Sequence, residues 1–240
     1  MKMILATLML FWSPRMGMGQ EQTPIAGIIT SVKGKAHVKR FNEKDTVIVK
    51  TGQFVREGDV LRIGPKERAS LAFMEGAEVR INENTEFEVT RRGVASHARN
   101  IKLALGQVWT RLLNKEADLD VQTRVAVAAV RGTEADIEMK NGMTVKVYEG
   151  LVDLMNSYGK QSLSQGQVSQ VAGAGAAPSA PRQMSEDEKG KWQEKFKIKN
   201  LEELLKQLQE QTGASGERKL KLQIEKDGEK KDLELKFKKK

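Results

Sequence analysis

The chain has 240 residues, a formal net charge of +9, 39% apolar and 30% charged residues, and no cysteine. This length allows one domain with a sizeable appendage, and the low apolar share implies that part of the chain stays solvated. The missing cysteines exclude disulfides, thiolate metal centres, a cysteine nucleophile and a lipid-modified cysteine.

Lys2 precedes an apolar run from Met3 to Trp12, and Pro14, Gly17 and Gly19 follow it. A basic start, a short apolar stretch and small residues at cleavage spacing read as a signal peptide over residues 1–19. The mature chain is expected to begin near Gln20, in a periplasmic or secreted setting. No later run is long and apolar enough to cross a bilayer as a helix. The basic excess is spread out, and Lys238, Lys239 and Lys240 form the one dense block.

From residue 25 to 172 the hydrophobic pattern has period two. Ala69, Leu71 and Phe73 alternate with Ser70, Ala72 and Met74. Val79 and Ile81 alternate with Glu78, Arg80 and Asn82, Phe87 and Val89 with Glu86 and Glu88, and Val145 and Val147 with Lys146 and Tyr148. Such alternation marks strands with one face on a core and one in water. Glycines stand before the runs, at Gly34, Gly52, Gly58, Gly76, Gly106, Gly132, Gly142, Gly150 and Gly166. Glycine accepts the positive φ of tight turns, and Asn141-Gly142 is a hairpin signal between 135–139 and 143–148. The expected fold is mainly β: many short strands joined by tight turns, as a sandwich, a roll or a short β-solenoid.

One ordered set of phrases is more specific. It runs Gly58-Asp59-Val-Leu-Arg, then Gly76-Ala-Glu-Val-Arg-Ile, then Gly106-Gln-Val-Trp109. Next come Val-Arg131-Gly132-Thr133-Glu-Ala-Asp-Ile, Val-Tyr-Glu149-Gly150-Leu-Val-Asp and Gly166-Gln-Val. In this order the phrases resemble the FecR domain, a β-rich module of bacterial envelope proteins, over roughly residues 27–172. The resemblance implies a periplasmic module that transmits signals or mediates contacts, with no catalytic residues to carry over. The best-known members place a cytoplasmic anti-sigma segment and a transmembrane helix before this domain. Here a signal peptide is expected in that place, so the expectation is the module itself. Read as residues, Gly132 allows a bend between strands 125–130 and 135–139, Thr133 bonds local backbone, and Arg131 pairs with a nearby carboxylate such as Glu149.

Residues 173–184 are rich in Ala, Gly and Pro and read as a linker. Ser185-Glu-Asp-Glu188 is a capping-box signature, so a helix is expected from there to about Lys197. Asn200-Leu-Glu-Glu203 repeats it, and Leu201, Leu204, Leu205 and Leu208 carry a helical stripe, extending the helical segment to residue 212. Residues 217–238 alternate around Asp227-Gly228 and predict a charged β-hairpin.

His37 and His97 stand apart without acidic companions at ligand spacing, and no phosphate loop or nucleophile elbow is present. No catalytic, metal or cofactor site is expected, and basic segments without interleaved aromatics do not point to nucleic acid. The expected function is non-enzymatic, an envelope module that contacts a protein partner. The alternative is a glycan-binding module at the cell wall or surface, using Trp109 and Tyr148 as stacking rings.

Overall fold

A computed structural model describes residues 23–90, 99–113, 117–190 and 192, with backbone alone for Thr133, 218–226 and 229–237. The expected signal peptide and the leucine stripe from Leu201 to Leu208 lie outside the described residues. Strands dominate. In chain order they are β1 (Ile25–Lys33), β2 (Ala36–Lys39), β3 (Thr46–Ile48), β4 (Phe54–Arg56), β5 (Val60–Ile63) and β6 (Arg68–Phe73). Then come β7 (Ala77–Ile81), β8 (Thr85–Val89), β9 (Arg99–Leu112), β10 (Asp118–Gln122), β11 (Val127–Met139) and β12 (Met143–Asn156). The last of the body are β13 (Gly159–Ser164), β14 (Gln167–Val171) and β15 (Arg182–Gln183), followed by β16 (Arg218–Lys226) and β17 (Glu229–Phe237).

Strands β1 to β15 form one sheet that resolves into two wings. The first runs β3-β2-β5-β8-β9-β10-β11-β12-β13. The second runs β4-β1-β6-β7-β9-β11-β12-β14-β15. Strands β9, β11 and β12 belong to both wings. Their amino- and carboxy-terminal halves pair with different neighbours. Pairing is antiparallel except between β9 and β10, the pattern of a folded meander rather than of stacked parallel coils. One hydrophobic cluster takes residues from both wings, so the sheet is folded over a single core. Val38, Leu61, Phe87, Leu103, Val130 and Val152 come from the first wing, and Ile29, Leu71, Val79, Val108, Ile137 and Val145 from the second.

Folding one strand into two wings creates a phase problem. Side chains alternate between faces, so a strand that turns a corner must slip by one residue to keep its apolar set inward. All three shared strands slip. In β9 the buried set is Ile101 and Leu103, then Val108 and Thr110. In β11 it is Ala128 and Val130, then Ala135, Ile137 and Met139. In β12 it is Met143, Val145 and Val147, then Val152 and Leu154. Without the slip in β9, Gln107, Trp109 and Arg111 would face the core. Burying an apolar side chain such as Leu103 is worth about 2 kcal/mol, and burying an unpaired cation costs more than that.

Each slip sits beside a glycine with positive φ: Gly106 at 99°, Gly132 at 62° and Gly150 at 75°. The short-strand expectation is corrected here. These three glycines do not separate strands but bend long ones, of 14, 13 and 14 residues. Segments 125–130 and 135–139 accordingly fall into one strand around Gly132. The bend at Gly106 is tight. A Cβ there would lie 2.3 Å from Thr85 Oγ1 and 2.5 Å from Thr85 Cα. The Thr85 hydroxyl accepts from the Gln107 amide at 3.0 Å, replacing a ladder bond that the bend removes. Gly132 has open space around it instead. At Asn141-Gly142 the expected hairpin forms, with Met139 and Met143 paired across the loop.

The helical segment expected from Ser185 is not formed among the described residues, which hold a single 3-10 turn at Glu186–Glu188 and a second 3-10 position at Trp192. The capping carboxylate is present: Glu188 accepts from the Ser185 amide and hydroxyl, both at 3.0 Å. It is also held in a fork by the Arg182 guanidinium at 2.6 and 2.7 Å. Lys189 leaves the helical region with ψ 61°, and the next residue is Gly190. The tie back to β15 thus wins over helix propagation, which needs several consecutive helical residues. The Ala/Gly/Pro stretch before it runs along the body, with Asn156 donating to the Ala176 carbonyl at 2.8 Å and the Ser179 amide to the Gln170 carbonyl at 2.9 Å. Strands β16 and β17 pair as an antiparallel hairpin in a sheet of their own, with Leu220 opposite Leu235 and Leu222 opposite Leu233. No helix among the described residues is long and apolar enough to cross a membrane.

The two kinds of corner predict different mutational costs. Gly106→Ala meets both a forbidden φ and the Thr85 backbone, and is expected to lose about 3 kcal/mol or more in urea denaturation. Gly132→Asn, at a left-handed φ with open space, is expected to lose about 1 kcal/mol or less. Equal losses at the two sites would refute the distinction.

Candidate functional site

The residues singled out by sequence fall at turns and corners. Gly58 and Asp59 form the β4–β5 turn, Gly76 the β6–β7 turn and Gly166 the β13–β14 turn. Gly106, Gly132 and Gly150 are the corner positions. Register sets Arg131 opposite Leu151 and Glu134 opposite Glu149, so Arg131-Gly132-Thr133 and Glu149-Gly150 share one corner. The Arg131 guanidinium meets Asp118 at 3.2 Å and Asp120 at 3.3 Å on β10, partners that the sequence did not point to. These pairs are partly exposed, and ion pairs of this kind add little to stability. Asp59 is different. It is buried, and its carboxylate accepts from the Arg56 amide at 2.9 Å, the Phe41 amide at 3.3 Å and the Arg40 guanidinium. It clamps the loop after β2 onto the β4–β5 turn.

A richer constellation lies on the outer face of the second wing, where the slips turn polar residues away from the core. One row runs Ser70, Arg80, Trp109, Asp136 and Lys146 across β6, β7, β9, β11 and β12. The next runs Glu78, Arg111 and Glu134. Despite its polarity this face is buried: Glu78 is 0% exposed, Trp109 2%, and Arg80 and Asp136 3%. Buried charges need partners. Arg80 donates to Glu78 at 2.7 Å, and Arg111 reaches the other Glu78 oxygen at 2.9 Å. The Trp109 indole donates to Glu134 at 2.9 Å, while the Arg80 guanidinium lies 4.2 Å from its ring centroid.

Asp136 ends a directional chain. Arg68 donates to Asn82 at 3.0 Å, Asn82 to Gln107 at 2.7 Å, and Gln107 to both Asp136 oxygens at 2.9 Å. A guanidinium cannot accept and a carboxylate cannot donate, so each amide has one allowed orientation. Residues 182–190 and Trp192 lie over this face as a strap. The Trp192 indole donates to Asp136 at 3.0 Å, and the Arg68 guanidinium lies 5.7 Å from the Trp192 ring centroid. Lys146 donates to the Glu188 carbonyl at 2.9 Å, and the Tyr148 hydroxyl to the Gly190 carbonyl at 3.3 Å. Sequence reading missed Asp136, Gln107 and Trp192. The only local signal was a tryptophan among the polar positions of β9.

The glycan alternative needs exposed rings at Trp109 and Tyr148. Trp109 is buried under Arg80, and Tyr148 is half-buried with its hydroxyl engaged by the strap. His37 lies on β2 opposite Arg62 and Ile48, and His97 is outside the described residues. A third feature is an edge. Among the described residues strand β3 pairs with β2 alone, all three of its residues are exposed, and Val47 and Ile48 are 39% and 51% exposed.

Burial pushes the Asp136 carboxyl up to about 6, against the opposing pull of Trp192, Gln107 and Lys146. The folded chain therefore keeps this proton where the unfolded chain has lost it. That stabilisation is full below about pH 4 and is lost as pH rises through about 6. Asp136→Asn, which cannot ionise, is expected to gain on the wild type by roughly 2 kcal/mol between about pH 4 and pH 7.5, read from urea melts. A flat difference would contradict this.

A family model described as FecR protein matches residues 59–153. Two crystal structures of a "putative anti-sigma factor" from Parabacteroides distasonis ATCC 8503, at 2.50 and 1.65 Å resolution, are similar to this chain. Each aligns with 16% identity and a TM-score of 0.46, over 52% of this chain and 60% of the other. This chain thus spans three-fifths of that protein's length. No curated protein matches it. The matched stretch opens at Asp59, the loop clamp, contains all three corner glycines and closes within β12. Residues 59–153 of this chain are a FecR domain.

Proposed function

We propose that this chain is a non-enzymatic module of the bacterial envelope that is exported to the periplasm and acts by contacting a protein partner. The FecR match over residues 59–153 carries this reading, because the family it resembles transmits signals or mediates contacts. The amino-terminal pattern of Lys2, the apolar run to Trp12 and the small residues up to Gly19 supports export. The free edge at β3 supports the contact. Among the described residues its backbone pairs on one side only, and it presents Val47 and Ile48 to solvent. An unpaired edge with apolar side chains can accept an extended segment of another protein as an additional strand. Lys44 and Asp45 before it and Lys50 after it leave the ends of that edge polar, which fits a short, selective contact.

Two measurements test this. Residues 1–30 fused to a reporter that is active only outside the cytoplasm are expected to give activity, and an inactive fusion removes the export claim. A photo-crosslinking residue at Ile48 is expected to yield a discrete adduct with an envelope protein, while the same residue at Lys35 does not. Val47→Lys with Ile48→Lys is expected to reduce that adduct about ten-fold at an unchanged melting temperature. Adducts of equal yield at both positions would sink the β3 contact.

A further inference from the structure

The strap is held by two kinds of contact. Lys146 and Tyr148 bind the carbonyls of Glu188 and Gly190, so they read peptide backbone whatever its side chains. Asp136 reads a side chain, because it takes the indole N–H of Trp192 under the Arg68 guanidinium. The spacing is fixed: the carbonyls stand four and two residues before the tryptophan.

The socket belongs to the sheet and not to the strap. Asp136, Lys146 and Tyr148 sit on β11 and β12, and the Gln107 amide nitrogen on β9 donates to both carboxylate oxygens, each at 2.9 Å. Asn82 and Arg68 fix that aim from behind. A buried carboxylate, 3% exposed, loses free energy whenever one of its donors is withdrawn. The socket therefore selects a flat side chain with one N–H, and rejects apolar rings that lack it.

We propose that the outer face of the second wing is a peptide-binding site which residues 184–190 and Trp192 fill in cis, and that its trans ligand is a protein segment carrying a tryptophan with free backbone carbonyls two and four residues ahead of it. This site is separate from the β3 edge and goes beyond the function proposed above. The tether sets its regulation. Residues 173–183 hold the strap at an effective concentration on the order of millimolar, so a weak free peptide cannot displace it. A partner succeeds when it binds a second surface as well, or when the strap loses its anchor.

The probe is an acetylated, amidated octapeptide with the sequence of residues 185–192. It is titrated by NMR or calorimetry, to millimolar peptide, into the full chain and into Trp192→Ala. Binding to Trp192→Ala is expected to be about ten-fold tighter than to the wild type. Replacing the tryptophan of the peptide by alanine is expected to abolish binding, and adding Lys146→Ala to the protein to weaken it about three-fold or more. Equal binding to both proteins, no binding to Trp192→Ala, or equal binding of the tryptophan-free peptide each overturns the proposal. Should Trp192→Ala not fold, Trp192→Phe keeps the ring and loses the N–H. In that variant the Met184 amide, which donates to the Gly166 carbonyl at 2.8 Å, is expected to exchange with solvent faster than in the wild type. Unchanged exchange there overturns the anchoring role of Asp136.

Discussion

Keeping one face of a strand inward while the strand turns a corner is the constraint on which this structure rests. Strands β9, β11 and β12 each serve two wings, and the two wings share one core. A period-two pattern cannot pass such a corner intact. Each strand slips by one residue, and residues at the slips stay at the surface: Leu105 in β9, Arg131 in β11, Glu149 and Leu151 in β12. The glycines supply the backbone freedom that the slip demands. The same slips decide what faces outward, since they turn Trp109, Asp136 and Lys146 away from the core and into one row.

That row is buried as well, under different rules. The core tolerates many apolar rearrangements of equal volume. The outer face does not, because its parts have direction. A cation at Arg68 can only donate, and a carboxylate at Asp136 can only accept. The amides of Asn82 and Gln107 between them have no second arrangement. With the Trp192 indole bonded to Asp136 and lying beneath Arg68, the chain of contacts closes on itself. Buried polar networks of this kind add little net stability but penalise every alternative in which a member is unpaired. The strap is thereby registered on the sheet to the residue, which a greasy patch would not achieve.

Much of this was legible in the sequence, and the misses have physical reasons. Alternation at Leu71, Val79 and Phe87 gave strands, because a half-buried strand imposes that pattern locally. The hairpin at Asn141-Gly142 was legible because a tight turn is specified by its own residues. The glycines were visible, but their role was not: a turn between two strands and a corner inside one both ask for positive φ. The parity of the buried residues on either side tells them apart, and Leu103 against Val108 carried that signal. Glu188 read as a helix cap, yet its partner Arg182 acts from outside the helix window. Asp136 read as a solvated strand face because burial on that side comes from contacts far along the chain.

The FecR match and the folding unit do not coincide, and the difference is instructive. The match begins at Asp59 and ends at Asp153. Asp59 already depends on residues before it, since it accepts from Arg40 and the Phe41 amide. Strand β1 lies between β4 and β6 and adds Ala26 and Ile29 to the core, and β2 covers β5 with Ala36 and Val38. After the match, β13 and β14 cover both halves of β12 and add Leu163 and Val171. Removing these strands would bare sheet edges on both wings, and with them the apolar faces of Leu71 and Val152. The recognisable sequence therefore marks the corners, where few residue types will do. The rest of the unit is built from strands that many apolar sequences can supply. The strap then returns from outside the match to Asp136, Lys146 and Tyr148 inside it, so whatever displaces the strap acts on the FecR domain directly.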